Sequence, residues 1–218
     1  MDVNTFRASR RALHGVAELI LAGPAYARDG DIRLRPTPGG FGVWAQPGPR
    51  IDRVELVAGT RRIPLGGTVQ SLADAAGVAP RPLSDVYADG AGVGLADVIE
   101  VDPAAAELLA AALADGDRAL ELFAPDAERV LWPEHFDIGI SVEAERVNYG
   151  VSPGDSYDPW PYAYVGPWES HEGGFFNAPF GAARRLSELG DAAAIAAFFA
   201  QGRELALHSC TDRASRSH

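Results

Sequence analysis

The chain has 218 residues, 47% of them hydrophobic, and a net charge of −11, which suits a globular protein with a sizeable core and opposes a nucleic-acid footprint. All nineteen cations are Arg; without a lysine amine there is no Schiff base, so pyridoxal phosphate is excluded, as is a Walker-type nucleotide site. A single cysteine, Cys210, excludes an internal disulfide, an iron–sulfur cluster and any multi-cysteine zinc site, and fits a cytoplasmic, reducing home.

Leu13, Val16, Ala17 and Ile20 recur at helical spacing, with Arg7, Arg11 and Glu18 on the opposite side, so an amphipathic helix is expected. Asn4 or Thr5 would cap it and Gly23-Pro24 would stop it. Its apolar run is short and interrupted by Glu18, so it reads as neither signal peptide nor membrane span, and no membrane partner is expected. The period then changes to two. Ile32 and Leu34 alternate with Arg33 and Arg35, and Pro38-Gly39-Gly40 turns the chain into Phe41–Trp44. Val54 and Leu56, a turn near Ala58-Gly59, and Ile63 and Leu65 make a second hairpin, giving four strands. Thr68 caps a short helix ended by Gly77. Residues 79–101 read as loop; their glycine run lacks the dinucleotide spacing, with Leu95 where the third glycine should stand. Asp102-Pro103 opens a helix that Gly116 would end, with Asp117 capping a further turn to Phe123. Asp191 caps a C-terminal helix, and 208–218 is expected to be a disordered tail on a single domain of 1–207.

The clearest strand is Phe136–Val142, where Phe136, Ile138, Ile140 and Val142 alternate with Asp137, Gly139, Ser141. A turn at Ala144-Glu145 would set Val142 opposite Val147 and Ile140 opposite Tyr149, leaving His135, Asp137, Asn148 and two glycines on the other face. The segment from Pro153 to residue 180, rich in Pro and aromatics, would fold over that face as a cover. His135 and Asp137, two apart on one strand, are the candidate catalytic pair: a carboxylate beside an imidazole holds its charged form and orients its tautomer. Asn148, Tyr149, Asp155, Tyr162 and Trp168 are the candidate ligand-binding residues, with Glu134 in reserve. His171-Glu172-Gly173-Gly174-Phe175 is half of a zinc-protease motif and lacks its second His. His135, Asp137 and His171 have the residue types of a non-haem iron site, although no metal ligand set is assigned. Asp155 follows Gly and Asp158 precedes Pro, places typical of turn formers.

The runs WPEHFD (132–137), NYGVSPGD (148–155), PYAYVGPW (161–168) and FFNAPFGAARRL (175–186) resemble an uncharacterised family of actinobacterial proteins. The resemblance covers most of the chain and implies a bacterial source, with no activity, cofactor or site attached. The expected fold is α+β, with antiparallel β-hairpins forming one or two sheets and helices packed on the apolar side. Two functional readings stand. One is a small-molecule binding protein or enzyme with its pocket over 135–152. The other is a non-catalytic protein whose aromatic region forms a homo-oligomer interface. A metal-dependent enzyme using His135 and Asp137 is a variant of the first.

Overall fold

The computed structural model of the chain describes residues 1–171 and 173–216, without the side chains of 208–216. The chain divides into two compact units: Met1–Ala114 with Val130–Ile138, and Asp115–Arg129 with Gly139–His218. The fold is α+β with antiparallel strands.

In the first unit, helix α1 (Val3–Val16) begins one residue before the expected caps. Asp2 accepts from the amides of Asn4 and Thr5 at 2.9 and 3.1 Å and from the Thr5 hydroxyl at 2.6 Å. A carboxylate satisfies several orphan donors at once, which neither Asn4 nor Thr5 could do from inside the first turn. Nor does Gly23-Pro24 stop the helix. Residues Ala17–Ala22 form a π-helical turn that runs into α2 (Gly23–Asp29), and the chain leaves the helix at Gly30, φ 73°. The wider π turn takes up the steric demand of the Pro24 ring and its missing N–H.

Every residue of the π turn is buried, so Glu18 does not face solvent as its phase on a regular helix implied. Residues 81–91 cover that side. Arg81 N–H donates to the Leu19 carbonyl at 3.1 Å, and Tyr87 Oη and the Ala91 N–H donate to the Glu18 carboxylate at 2.9 and 2.7 Å. The approach is close enough that a Cβ on Gly23 would strike the Arg81 carbonyl oxygen. Burial raises the Glu18 pKa against these two donors, and burial raises that of Tyr87 as well, helped by the charge of Glu18.

Strands β1 (Leu34–Thr37) and β2 (Gly40–Val43) form the expected hairpin, with Leu34 opposite Val43. The next stretch holds three strands where two were expected: β3 (Arg50–Asp52), β4 (Glu55–Ala58) and β5 (Arg61–Pro64). The additional turn falls at Arg53, which adopts a left-handed φ of 54°. Helix α3 (Val69–Ala76) carries a reciprocal Thr68–Ser71 capping box and ends at Gly77, φ 67°. Between 79 and 101 no helix and no named strand forms. The π turn packs against β1, β2 and α3, and the buried Phe6, Leu13, Ile20, Leu34, Phe41, Ile51 and Leu56 fill the core of this unit. At roughly 2 kcal/mol for each large apolar side chain removed from water, such burial is the main stabilising term.

Helix α4 (Pro103–Phe123) is one unbroken helix, with Asp102 accepting from the Ala105 N–H at 3.0 Å. Gly116 does not end it. Ala105, Leu109, Ala112, Leu113, Ala119 and Leu120 are buried at helical spacing on both sides of Gly116, and that continuous stripe outweighs the ~1 kcal/mol cost of an interior glycine. Strand β6 (Val130–Trp132) lies antiparallel to β1, with Leu131 opposite Leu34, and β7 (Asp137–Val142) follows.

In the second unit, β8 (Val147–Ser152) pairs with β9 (Tyr162–Pro167), which pairs with β10 (Ala182–Arg185). The chain turns through Glu143–Arg146 between β7 and β8, as the alternation required. A Cβ on Gly139 would lie 3.1 Å from the Tyr149 carbonyl oxygen and 3.9 Å from the Gly150 Cα, which fits the expected register. The segment after Pro153 is not a cover throughout, since six of its residues are β9. Its prolines sit at 159, 161, 167 and 179, outside or at the end of the strand, where no ladder hydrogen bond is lost. The short helix α5 (Leu186–Leu189) and α6 (Ala192–Arg216) complete the unit, with Asp191 accepting from the Ala194 N–H at 2.8 Å. Helix α6 packs on β8 and β9, where Phe123, Tyr149 and Phe199 cluster with ring centroids 4.6–6.0 Å apart. The tail expected over 208–218 falls on residues whose side chains lie outside the description.

His14 tests the core of the first unit. Its Nε2–H donates to the Pro133 carbonyl at 2.6 Å and its ring stacks on Phe136, centroids 5.0 Å apart. Burial holds its pKa down at about 4 against an ordinary 6.5. The folded-state pKa is depressed, so the unfolded chain binds the proton first as pH falls, and stability present above pH 6.5 is lost toward pH 4. Against the His14→Phe variant, which keeps the stacking and removes the titration, wild-type unfolding free energy should fall by about 3 kcal/mol between pH 7 and pH 4. Urea unfolding at stepped pH reads this; parallel pH curves for the two proteins would sink it.

Candidate functional site

The sequence-predicted residues do not gather in one place. His135 is not on the strand with Asp137, because β7 starts at Asp137 and the residue between them, Phe136, has φ 55°. Pro133 begins a turn closed by the Phe136 N–H on the Trp132 carbonyl at 2.8 Å, and the alternation that put the two side chains on one face stops there. The His135 side chain is 62% exposed, with its Nε2 4.0 Å from the Glu134 carboxylate, whereas Asp137 is buried. Asn148 and Trp168 do meet: Oδ1 of Asn148 accepts from Trp168 Nε1 at 3.2 Å and from the Ser141 hydroxyl at 2.8 Å, with Arg146 over the indole face. Tyr149 is fully buried in the core of the second unit, its hydroxyl donating to Glu145 at 3.3 Å, and Glu145 also pairs with Arg203. His171 has both ring nitrogens against carbonyl oxygens, of Glu169 at 2.8 Å and Ala206 at 3.2 Å. Among the described residues no three His, Cys, Asp or Glu side chains come together as a metal site.

Asp155 and Tyr162 also come together, and around them the second unit builds a cleft. Asp155 Oδ1 accepts from the Tyr157 and Asp158 amides at 2.7 and 3.2 Å, and Oδ2 accepts from the Tyr162 hydroxyl at 2.6 Å. Asp158 repeats the device. Its Oδ1 accepts from the Trp160 N–H at 3.0 Å, and its Oδ2 accepts from Arg185 Nε at 2.6 Å. Both aspartates are therefore turn formers, as their places after Gly154 and before Pro159 suggest. Their charges fold 155–161 into a fixed shape against β9 and β10. The Leu186 N–H closes the arrangement on the Pro161 carbonyl at 2.9 Å.

The cleft has a volume of about 340 Å³ and is lined by Tyr157, Asp158, Tyr162, Asn177, Ala183, Arg184, Arg185 and Glu188. Asn177 braces the outer strand, accepting from the Ala183 N–H at 2.9 Å and donating to its carbonyl at 3.2 Å. Arg184 Nη1 donates to that same carbonyl at 3.0 Å. Tyr157 packs edge-on against Tyr162 and Phe180, at 5.7 and 5.0 Å, and remains 42% exposed. The hydrogen bond that Arg185 donates to Asp158, with the negative charge of that carboxylate, raises the Arg185 pKa, and Glu188 adds to it. Of the residues named from sequence, Tyr162 and Asp158 line the cleft and Asp155 braces it. The missed members had a signal in Arg184-Arg185, adjacent cations at the end of a run that is otherwise small and apolar.

No family model, curated protein or solved structure matches the chain. What fold and site define is therefore a class, an α+β protein whose second unit carries a polar, aromatic-edged cleft beside its outer strand.

The bracing makes a prediction. Asp155→Ala removes the acceptor of three hydrogen bonds, two of them within the turn, and should cost about 1–3 kcal/mol in chemical unfolding. Asp155→Asn, which keeps an oxygen for the Tyr157 and Asp158 amides, should recover much of that loss. Equal effects from the two variants would place the importance of Asp155 in its charge and not in the turn.

Proposed function

We propose that the second unit binds a small polar molecule in the cleft between residues 157–162 and β10. The observation that carries this is the convergence of side chains from several segments on one concavity whose walls are fixed before any ligand arrives. The turn is set by Asp155 and Asp158, the outer strand by Asn177, and the edge by the Tyr157–Tyr162–Phe180 ring cluster. Pre-formed concavities with a few directed polar groups are where small ligands bind, because little ordering entropy is left to lose. The volume accommodates a metabolite of modest size and excludes a folded partner. Trp168, 51% exposed, supports a second reading, a self-association surface on the same unit.

Ligand-observed NMR with a library of small polar fragments tests the first reading. Fragments that bind wild-type protein should weaken about tenfold against Tyr157→Ala, the loss of one aromatic contact. The thermal midpoint of that variant should barely move, since the ring is half in solvent. Binding indifferent to Tyr157→Ala, or a concentration-dependent mass that Trp168→Ala abolishes together with all fragment binding, would overturn the cleft.

A further inference from the structure

We infer that the ligand of this cleft carries an oxyanion, a carboxylate or a phosphate monoester, that Arg184 and Arg185 take together. The inference rests on the reading of the cleft as a small-molecule site and adds the chemistry of what enters it.

The argument is one of unused hydrogen-bonding capacity. The acids of the turn are already committed. Asp155 accepts from two amides and a phenol, and Asp158 accepts from an amide and from Arg185, so both oxygens of each carboxylate already hold donors. Asn177 spends its carbonyl and its amide on Ala183. The donors, by contrast, are in excess. Arg184 gives one of its five N–H groups to the Ala183 carbonyl, and among the described residues it has no carboxylate within ion-pair distance. Arg185 gives Nε to Asp158, and among the described residues its Nη groups have no hydrogen-bond acceptor. The Tyr157 hydroxyl likewise has no partner among them. A guanidinium fork matches the spacing of two oxygens on a carboxylate or phosphate, and both arginines and Tyr157 line the one cleft, so together they make a donor set for an anion.

The charges agree with the donors. Asp158 offsets Arg185, and Glu188 on the exposed helix α5 lies in the field of Arg185, leaving Arg184 as the cation of the cleft without a paired acid among the described residues. A cationic ligand would meet the guanidinium of Arg184, with Glu188 as the one lining acid among the described residues that no hydrogen bond engages. A neutral ligand would leave the forks to water. The exposed Tyr157 ring adds a flat face beside them, which suits an anion carried on a planar body.

The experiment compares four probes of one shape on the full chain: benzoate, phenyl phosphate, benzyl alcohol and benzylamine, by calorimetry and ligand-observed NMR at low and moderate salt. The expected result is binding of benzoate, phenyl phosphate or both that weakens with salt and drops about tenfold or more in Arg184→Gln, the loss of a charge-assisted pair. Whichever anion binds more tightly identifies the headgroup. Arg184→Lys should recover part of that loss, because it restores the charge without the fork. Circular dichroism and thermal melting check that both variants fold; should Arg184→Gln not fold, the salt dependence and the anion-over-alcohol preference of the wild type decide. Benzyl alcohol or benzylamine binding in a manner sensitive to Tyr157→Ala, with neither anion bound, overturns the oxyanion and leaves the cleft standing. Anion binding unchanged in Arg184→Gln overturns the role of the arginines. No binding by any probe, together with an empty fragment screen, overturns both readings.

Discussion

The carboxylate of Asp155 is the constraint on which the second unit's cleft depends. Its two oxygens hold three donors, one from a side chain on β9 and two from the backbone of the turn, and so join a loop rich in proline to a strand of the sheet. A neutral hydrogen bond contributes only about 1 kcal/mol net, and one to a charged acceptor about twice that. The value of such an arrangement is directional: three bonds meeting at one group leave the turn a single way to fold. Proline adds to this from the other side, by removing conformations from the unfolded chain. A recess formed under those conditions keeps its shape without help from an occupant.

Much of the secondary structure was legible because each element states its period and its ends. The β1–β2 hairpin is bounded by Pro38-Gly39-Gly40, α3 by Thr68 and Gly77, and α4 begins at Asp102-Pro103 because a cap followed by proline has few other uses. The failures share a cause, which is that long-range burial decided against a local signal. Gly116 is helical because the buried stripe on either side of it is continuous. Glu18 is buried because residues 81–91, far along the chain, come to lie over it. Phe136 adopts a left-handed backbone while its ring packs on His14 and Phe41, and no reading of alternation anticipates that.

The candidate site was less legible than the fold. His135 and Asp137 were attractive because of their residue types, and the error lay in carrying the strand alternation two residues too far, back into a proline turn. The residues that do line the cleft come from a turn, a strand, a bracing asparagine and an edge, and nothing in their spacing marks them as neighbours. Asp155 and Asp158 were identifiable as turn formers, and what that role would shape was not. A buried acid such as Glu18 offers a different clue: a single charge inside an apolar run has to find its hydrogen bonds elsewhere in the molecule, and here it finds them in Tyr87 and Ala91.

The two units are woven from one strand of sequence. The chain passes between them three times, within α4 after Ala114, in the connection before Val130, and inside β7 after Ile138. A single cut at any of these points therefore severs no complete unit from the other. Truncation at Ala114 strips the first unit of β6 and of the aromatic ring that packs on Phe41, while a fragment starting at Gly139 lacks the helical turn that carries Phe123 into the second unit's core. Neither unit is a cassette. A single stretch that carries the whole second unit, from Asp115 onward, also carries Val130–Ile138 of the first, so neither unit can be transferred, gained or lost as one clean piece of sequence.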